Sequence, residues 1–129
     1  MQVDFYLLES AGVSDIVPRL VAKAWPEHRD IVIAAPESVL DALDPALWEK
    51  PGGRFLPHDR DGSAPIRLQT EVPAECALLI HLHPVPVPPR GRFGRVLEVV
   101  GPDEADRAPA RKRFKAWKDA GVQLRHHRL

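Results

Sequence analysis

A single cysteine, Cys76, excludes an internal disulfide and a cysteine-ligated zinc site. No apolar run approaches the ~18 residues that a membrane span needs. The opening Met1-Gln2-Val3-Asp4 lacks the basic and apolar regions of a secretory signal, so a soluble cytoplasmic protein is expected. Formal net charge is zero, from 18 Lys/Arg against 18 Asp/Glu, which argues against a protein that coats DNA. Neither G-x-x-x-x-G-K-[ST] nor G-x-G-x-x-G occurs, and Glu9-Ser10-Ala11-Gly12-Val13 lacks the glycines and lysine of a phosphate cradle. No G-x-S-x-G elbow supplies a hydrolase nucleophile.

What remains is a chain of 129 residues, 44% apolar and 28% charged, close to the globular average. That length fits one domain over 1–129, large enough to bury about two-thirds of its unfolded surface. Fourteen prolines are about twice the usual share. The balanced charge hides a polarity. Residues 1–106 hold 10 Lys/Arg against 17 Asp/Glu, whereas residues 107–129 hold 8 against one, Asp119. A basic end on an acidic body points to an acidic partner or nucleic acid.

Apolar runs predict strands at Val3–Leu8, Ile31–Ala35, Ala77–Leu82 and Val96–Val100. Ile31–Ala35 is apolar throughout, as in a sheet covered on both faces. Short strands are expected at Arg54–Leu56, Ile66–Leu68 and Val122–Leu124, with a turn at 59–63. Helices are expected from a Ser14 cap to Trp25, from Pro36 to Leu43 with Asp44-Pro45 as a breaker, and from Pro102 to Ala120. Gly121 suits the position after that last helix, which Pro109 is expected to kink or delay. Residues 84–89, Pro-Val-Pro-Val-Pro-Pro, predict extended loop. Strands alternating with helices give an α/β fold, a Rossmann-like mixed or parallel sheet with helices on both faces and no phosphate loop.

The histidines do not spell a metal site. His81 and His83 share a strand face and His126-His127 are adjacent, but no acidic or cysteine partner has matching spacing. Asp59-Arg60-Asp61-Gly62 opens like a calcium loop but lacks the later ligands. Gly91-Arg92-Phe93-Gly94 is one copy of an Arg/Gly fragment. No cofactor is expected.

Two patterns are more informative. On a helical wheel Arg107, Arg111, Lys115 and Lys118 fall within an arc of ~80°, with Phe114 at its edge and Ala110 and Trp117 beside it. One reading is a solvated face with a core-facing aromatic pair. The other starts from like charges stacked without acidic i,i+4 partners, which an anionic ligand relieves. A carboxylate beside an apolar slot satisfies both halves of the pattern. Second, Leu47-Trp48 and Phe55-Leu56-Pro57-His58 flank a Pro/Gly loop, either closing the core or forming a platform for a protein partner.

Asp44-Pro-Ala-Leu47-Trp48 followed by Phe55-Leu-Pro57-His58 resembles the "L-D-x-x-L-W … F-x-P-H" stretch of the chi subunit of bacterial DNA polymerase III. Phe5-Tyr6-Leu7-Leu8, Leu78–Leu82, Phe93–Val100 and Ala110–Gly121 resemble further blocks of that family, in its order, with His81 where Asn is usual. The resemblance implies a non-catalytic accessory subunit of the clamp loader with a Rossmann-like fold that binds no nucleotide. It implies two partners, the psi subunit and the acidic C-terminal tail of single-stranded-DNA-binding protein, with only indirect contact with DNA and none with a membrane. It places tail binding at Arg107, Arg111, Phe114 and Lys115, with Lys118 from the same stripe, and psi contact at Trp48, Phe55 and Pro57. Two other readings compete: a nucleic-acid-binding module using the basic helix, and a nucleotide-using α/β enzyme. Neutral charge and few aromatics weigh against the first, and the missing phosphate loop against the second.

Overall fold

The computed structural model describes residues 1–49, 56–60, 62–82 and 91–129. Strands β1 (Gln2–Leu7), β2 (Ile31–Ala34), β3 (His58–Arg60), β4 (Ile66–Gln69), β5 (Glu75–His81), β6 (Arg92–Val100) and β7 (Gln123–Arg128) form one sheet in the order β3-β4-β2-β5-β6-β1-β7. Every pairing is parallel, which resolves the expected mixed or parallel sheet.

Strand alternation sorts side chains onto two covered faces. On one, Leu8, Ile31, Ile33, Leu78, Ile80, Leu97 and Val99 pack under helices α1 (Val13–Ala24) and α2 (Glu37–Glu49). On the other, Val3, Phe5, Val32, Leu79, Val96 and Val100 pack under α3 (Glu104–Asp119). The α/β expectation with helices on both faces is met. β2 is buried at all four positions, as its unbroken apolar run implies. Where β5 and β6 run closest, a Cβ on Gly94 would meet the Ala77 carbonyl oxygen at 2.6 Å, so this glycine is required by strand packing.

Several local expectations fail for one reason: packing overrides propensity. α2 continues through Asp44-Pro45 to Glu49, because Leu43 and Leu47 on either side of the proline are buried in the same core. Pro109 lies inside α3, which starts at Glu104, two residues after the expected Pro102. Pro18 also sits inside a helix, α1, and is buried. Each interior proline removes a backbone bond and costs about 3 kcal/mol in an isolated helix, so all three helices depend on the sheet they cover. Ser14 caps nothing; α1 starts after Gly12, whose carbonyl accepts the Asp15 and Ile16 amides. The strand expected at Arg54–Leu56 falls largely on Arg54 and Phe55, which lie outside the described residues; the third strand described is His58–Arg60. It takes over the start of the expected turn at 59–63, although Asp59 still accepts the Ala64 amide at 3.2 Å. The proline-rich stretch 84–89 and His83 also lie outside the described residues. β7 runs on to Arg128, four residues past the expected strand. Gly121 ends α3 as expected, at φ +79°.

Candidate functional site

α3 connects β6 to the edge strand β7 and so lies over β1. Ala110, Arg113 and Trp117 form its buried side. Arg113 and Trp117 converge on Glu98 of β6, which is fully buried. Its carboxylate accepts from Arg113 Nε at 3.2 Å and Trp117 Nε1 at 3.0 Å, and His81 Nδ1 of β5 lies 2.5 Å from it. A buried carboxylate is tolerated only when paired and hydrogen-bonded, so this cluster fixes where α3 sits. The sequence reading missed it. The available signal was a glutamate inside the apolar run Val96-Leu97-Glu98-Val99-Val100.

Because α3 is fixed there, its adjoining face borders an open groove of about 510 Å³. Phe5 and Leu7 of β1 and Ala110 of α3 form its apolar wall, and Phe114 closes it with its ring 5.3 Å from Phe5, edge to face. Arg107, Arg111 and Glu104 of α3 and His126 of β7 supply its polar lining. Three of the five residues expected in a tail site, Arg107, Arg111 and Phe114, are thus brought together. Lys115 and Lys118 are exposed on the same helix but do not line the groove. At ~100° per residue Lys115 is turned ~40° past Arg111, and Lys118 lies one turn beyond Phe114.

The two arginines are held differently. Arg107 donates to the carbonyl of Gly101 at 2.9 Å and of Leu8 at 2.8 Å, tying α3 to the ends of β6 and β1. Arg111 is exposed and meets the Glu104 carboxylate with both terminal nitrogens, at 2.7 and 2.9 Å. This corrects the expectation of a stripe without acidic partners: the partner is seven residues away rather than four. The Arg111 hydrogen bond and charge hold the Glu104 carboxyl below its usual value, and Glu104 in turn raises Arg111. The groove therefore presents an apolar slot beside a guanidinium fork on which a carboxylate is already seated.

The two adjacent C-terminal histidines part company by strand alternation. His126 faces the groove, whereas His127 turns to the other face, stacks on Tyr6 with ring centres 4.7 Å apart and lies 3.2 Å from Asp4. Asp4 is buried and also accepts from Arg95 at 2.9 and 2.6 Å. Burial pushes its carboxyl up, but the bonds from Arg95 and His127 outweigh this and leave it lowered. Cys76 is buried, and burial with the nearby Asp30 charge pushes its thiol up to about 12, so it is unreactive at neutral pH. Among the described residues no group of three His, Cys, Asp or Glu is placed to hold a metal ion, and no helix is long and apolar enough to cross a membrane.

The second expected surface lies on α2, near the other end of the sheet order. Trp48 is 55% exposed, and its ring lies 4.3 Å from that of His58. His58 is fixed by Asp44 Oδ1 at 3.0 Å and the Leu56 carbonyl at 2.7 Å. Pro57 is half-buried beside it, and Phe55 lies outside the described residues.

The sequence pattern of the family described as DNA polymerase III chi subunit, HolC, matches residues 1–125. A Pseudomonas aeruginosa protein named DNA polymerase III subunit chi is 35% identical over 140 residues, covering 99% of this chain and 96% of its own. Proteins of the same name from Escherichia coli and Haemophilus influenzae are each 28% identical, covering 93% of this chain and 92% of theirs.

Proposed function

Because this chain belongs to the chi subunit family of DNA polymerase III, and so to the replication machinery, we propose that it is a non-catalytic adaptor. One surface takes the acidic C-terminal tail of single-stranded-DNA-binding protein, and the other meets psi and through it the clamp loader. It works in the cytoplasm at the replisome and touches DNA only through these partners.

The groove carries this reading. A chain ending in an aromatic residue with a free carboxylate presents one ring and one anion at fixed separation. The Phe5–Phe114–Leu7–Ala110 slot suits the ring, and Arg111 with Arg107 suits the carboxylate. Lys115 and Lys118 add positive potential for the acidic residues that precede it. Calorimetric titration with a synthetic tail peptide tests this. Binding is expected to weaken as salt rises and to be lost when the terminal residue is deleted. Transfer of the affinity to an oligonucleotide of equal charge would defeat it.

The exposed Trp48 supports the psi-facing role of the second surface, since a tryptophan in solvent is a common interface anchor. Trp48→Ala is expected to weaken psi binding by at least tenfold and leave tail-peptide binding unchanged. Phe55 and Pro57 are assigned to the same contact by family resemblance.

A further inference from the structure

Among the described residues the sheet has two open edges, and they differ in length and charge. β3 is three residues long, and its Arg60 is neutralised by Glu37 and Asp41 of α2. β7 is six residues long, reads Gln-Leu-Arg-His-His-Arg, and has no acidic residue of its own, although its Arg128 meets the exposed Glu9 at 3.3 Å. It ends the sheet order beside β1, so among the described residues no strand pairs with its outer side.

The backbone directions follow from the pairing. The Gln123 amide donates to Met1 and the Leu129 amide to Leu7, and Gln123 through Arg128 pair in register with Gln2 through Leu7. In a parallel ladder successive residues alternate between their two neighbours. The amides and carbonyls of Gln123, Arg125 and His127 therefore serve β1, and those of Leu124, His126 and Arg128 point outward. Side-chain alternation sends the same three residues to the α3 face, where His126 lines the groove. The outward row of hydrogen-bonding groups thus begins at the groove's own rim.

We propose that β7 is the second half of the tail-binding surface: the acidic residues preceding the terminal aromatic one add to β7 as an eighth strand, through the outward groups of Leu124, His126 and Arg128. This rests on the groove reading and deepens it. Charge selects the occupant. A second copy of β7 would set Arg125, His126, His127 and Arg128 against their equals, whereas an acidic strand meets opposite charge. The β3 edge suits the same strand less, because its Arg60 is already taken by Glu37 and Asp41. Main-chain pairing supplies affinity independent of side-chain sequence, and the groove supplies specificity through the terminal residue.

Amide hydrogen exchange by NMR, with the full chain and a synthetic acidic peptide ending in phenylalanine, tests the proposal. Exchange at Leu124, His126 and Arg128 is expected to slow by about tenfold or more in the complex, with Arg125 and His127 slow in both states. N-methylation of alternate backbone amides of the peptide is expected to weaken binding about tenfold in one phase of the alternation and little in the other. Peptide binding that perturbs Arg111 and Phe114 but leaves the β7 amides unprotected overturns the strand addition alone. No peptide binding at all overturns the groove reading with it.

Discussion

Arg111 and Arg113 stand two residues apart on one helix, and each is paired with a glutamate, yet they do opposite work. Arg113 is 3% exposed and meets a fully buried Glu98. Arg111 and its partner Glu104 are both exposed side chains. Inside the protein neither charge of the Arg113 pair has water to fall back on, so the pair is obligatory and serves the fold. At the surface water competes with either member of the Arg111 pair, so the contact is exchangeable and leaves the guanidinium available to a ligand. Burial, and not the presence of a partner, separates the structural arginine from the one proposed to bind.

The largest effect expected from this contrast is at Glu98. Glu98→Ala removes the buried carboxylate that balances the Arg113 charge and accepts from Arg113 Nε and Trp117 Nε1. Breaking a buried pair on one side costs about 3–5 kcal/mol, a fall in Tm of roughly 10 °C or more for a domain of this size. A double replacement, Glu98→Leu with Arg113→Met, removes both charges and is expected to recover most of that loss. Thermal melts of the single and double variants check this. A double variant no better than the single one would mean that the cluster's hydrogen bonds, rather than charge desolvation, dominate.

Arg111→Ala comes next and reverses the pattern. Tm is expected to move by less than about 2 °C, as for most surface substitutions. Tail-peptide affinity is expected to fall roughly tenfold to a hundredfold, the range for loss of a charge-assisted contact. Parallel melts and titrations of Arg111→Ala and Glu98→Ala draw the comparison directly. Unchanged affinity in Arg111→Ala would make the basic stripe a solvated face.

What could be read from the sequence follows the same division. A helix fixes its own angular relations, so the wheel grouped Arg107, Arg111 and Phe114 correctly without knowing the fold. It could not say where β1 lies relative to α3, and so did not separate Lys115 and Lys118 from the groove-lining residues. Phe5, Leu7 and His126 reach the groove from strands far apart in sequence, which no local pattern reports. The parallel sheet was legible in the apolar runs of β2 and β5, buried on both faces. The edge strand β7 was legible only at its start, because Arg125-His126-His127-Arg128 lacks the apolar alternation of a half-buried strand. Pro45 misled because local propensity does not register what a helix buries.

A smaller effect is expected from acid. The Asp4 carboxyl lies below its ordinary value of 3.8 in the folded chain, so the unfolded chain binds its proton first as pH falls. The stabilisation from its bonds to Arg95 and His127 is complete above that ordinary value and is lost as pH drops through the folded one. Asp4→Asn is expected to lower Tm at pH 7 and to flatten the acid limb, so that the two Tm curves converge toward pH 3. Curves that stay parallel would place the acid sensitivity in other carboxylates.

The smallest effect sharpens the comparison most, because its sign is diagnostic. Glu104 occupies the Arg111 fork, so in the proposed complex binding exchanges one carboxylate for another. An exposed pair of this kind contributes little to stability, and the exchange is therefore easy but not free. Glu104→Gln keeps the shape, removes the competing charge and lowers the negative potential at the groove mouth. Tail-peptide affinity is expected to rise about twofold to fivefold at low salt, and the gain is expected to shrink as salt screens it. Tm should stay within about 2 °C of the parent. If affinity falls instead, Glu104 holds the Arg111 guanidinium in its binding orientation, and its role is to aim the fork rather than to compete for it.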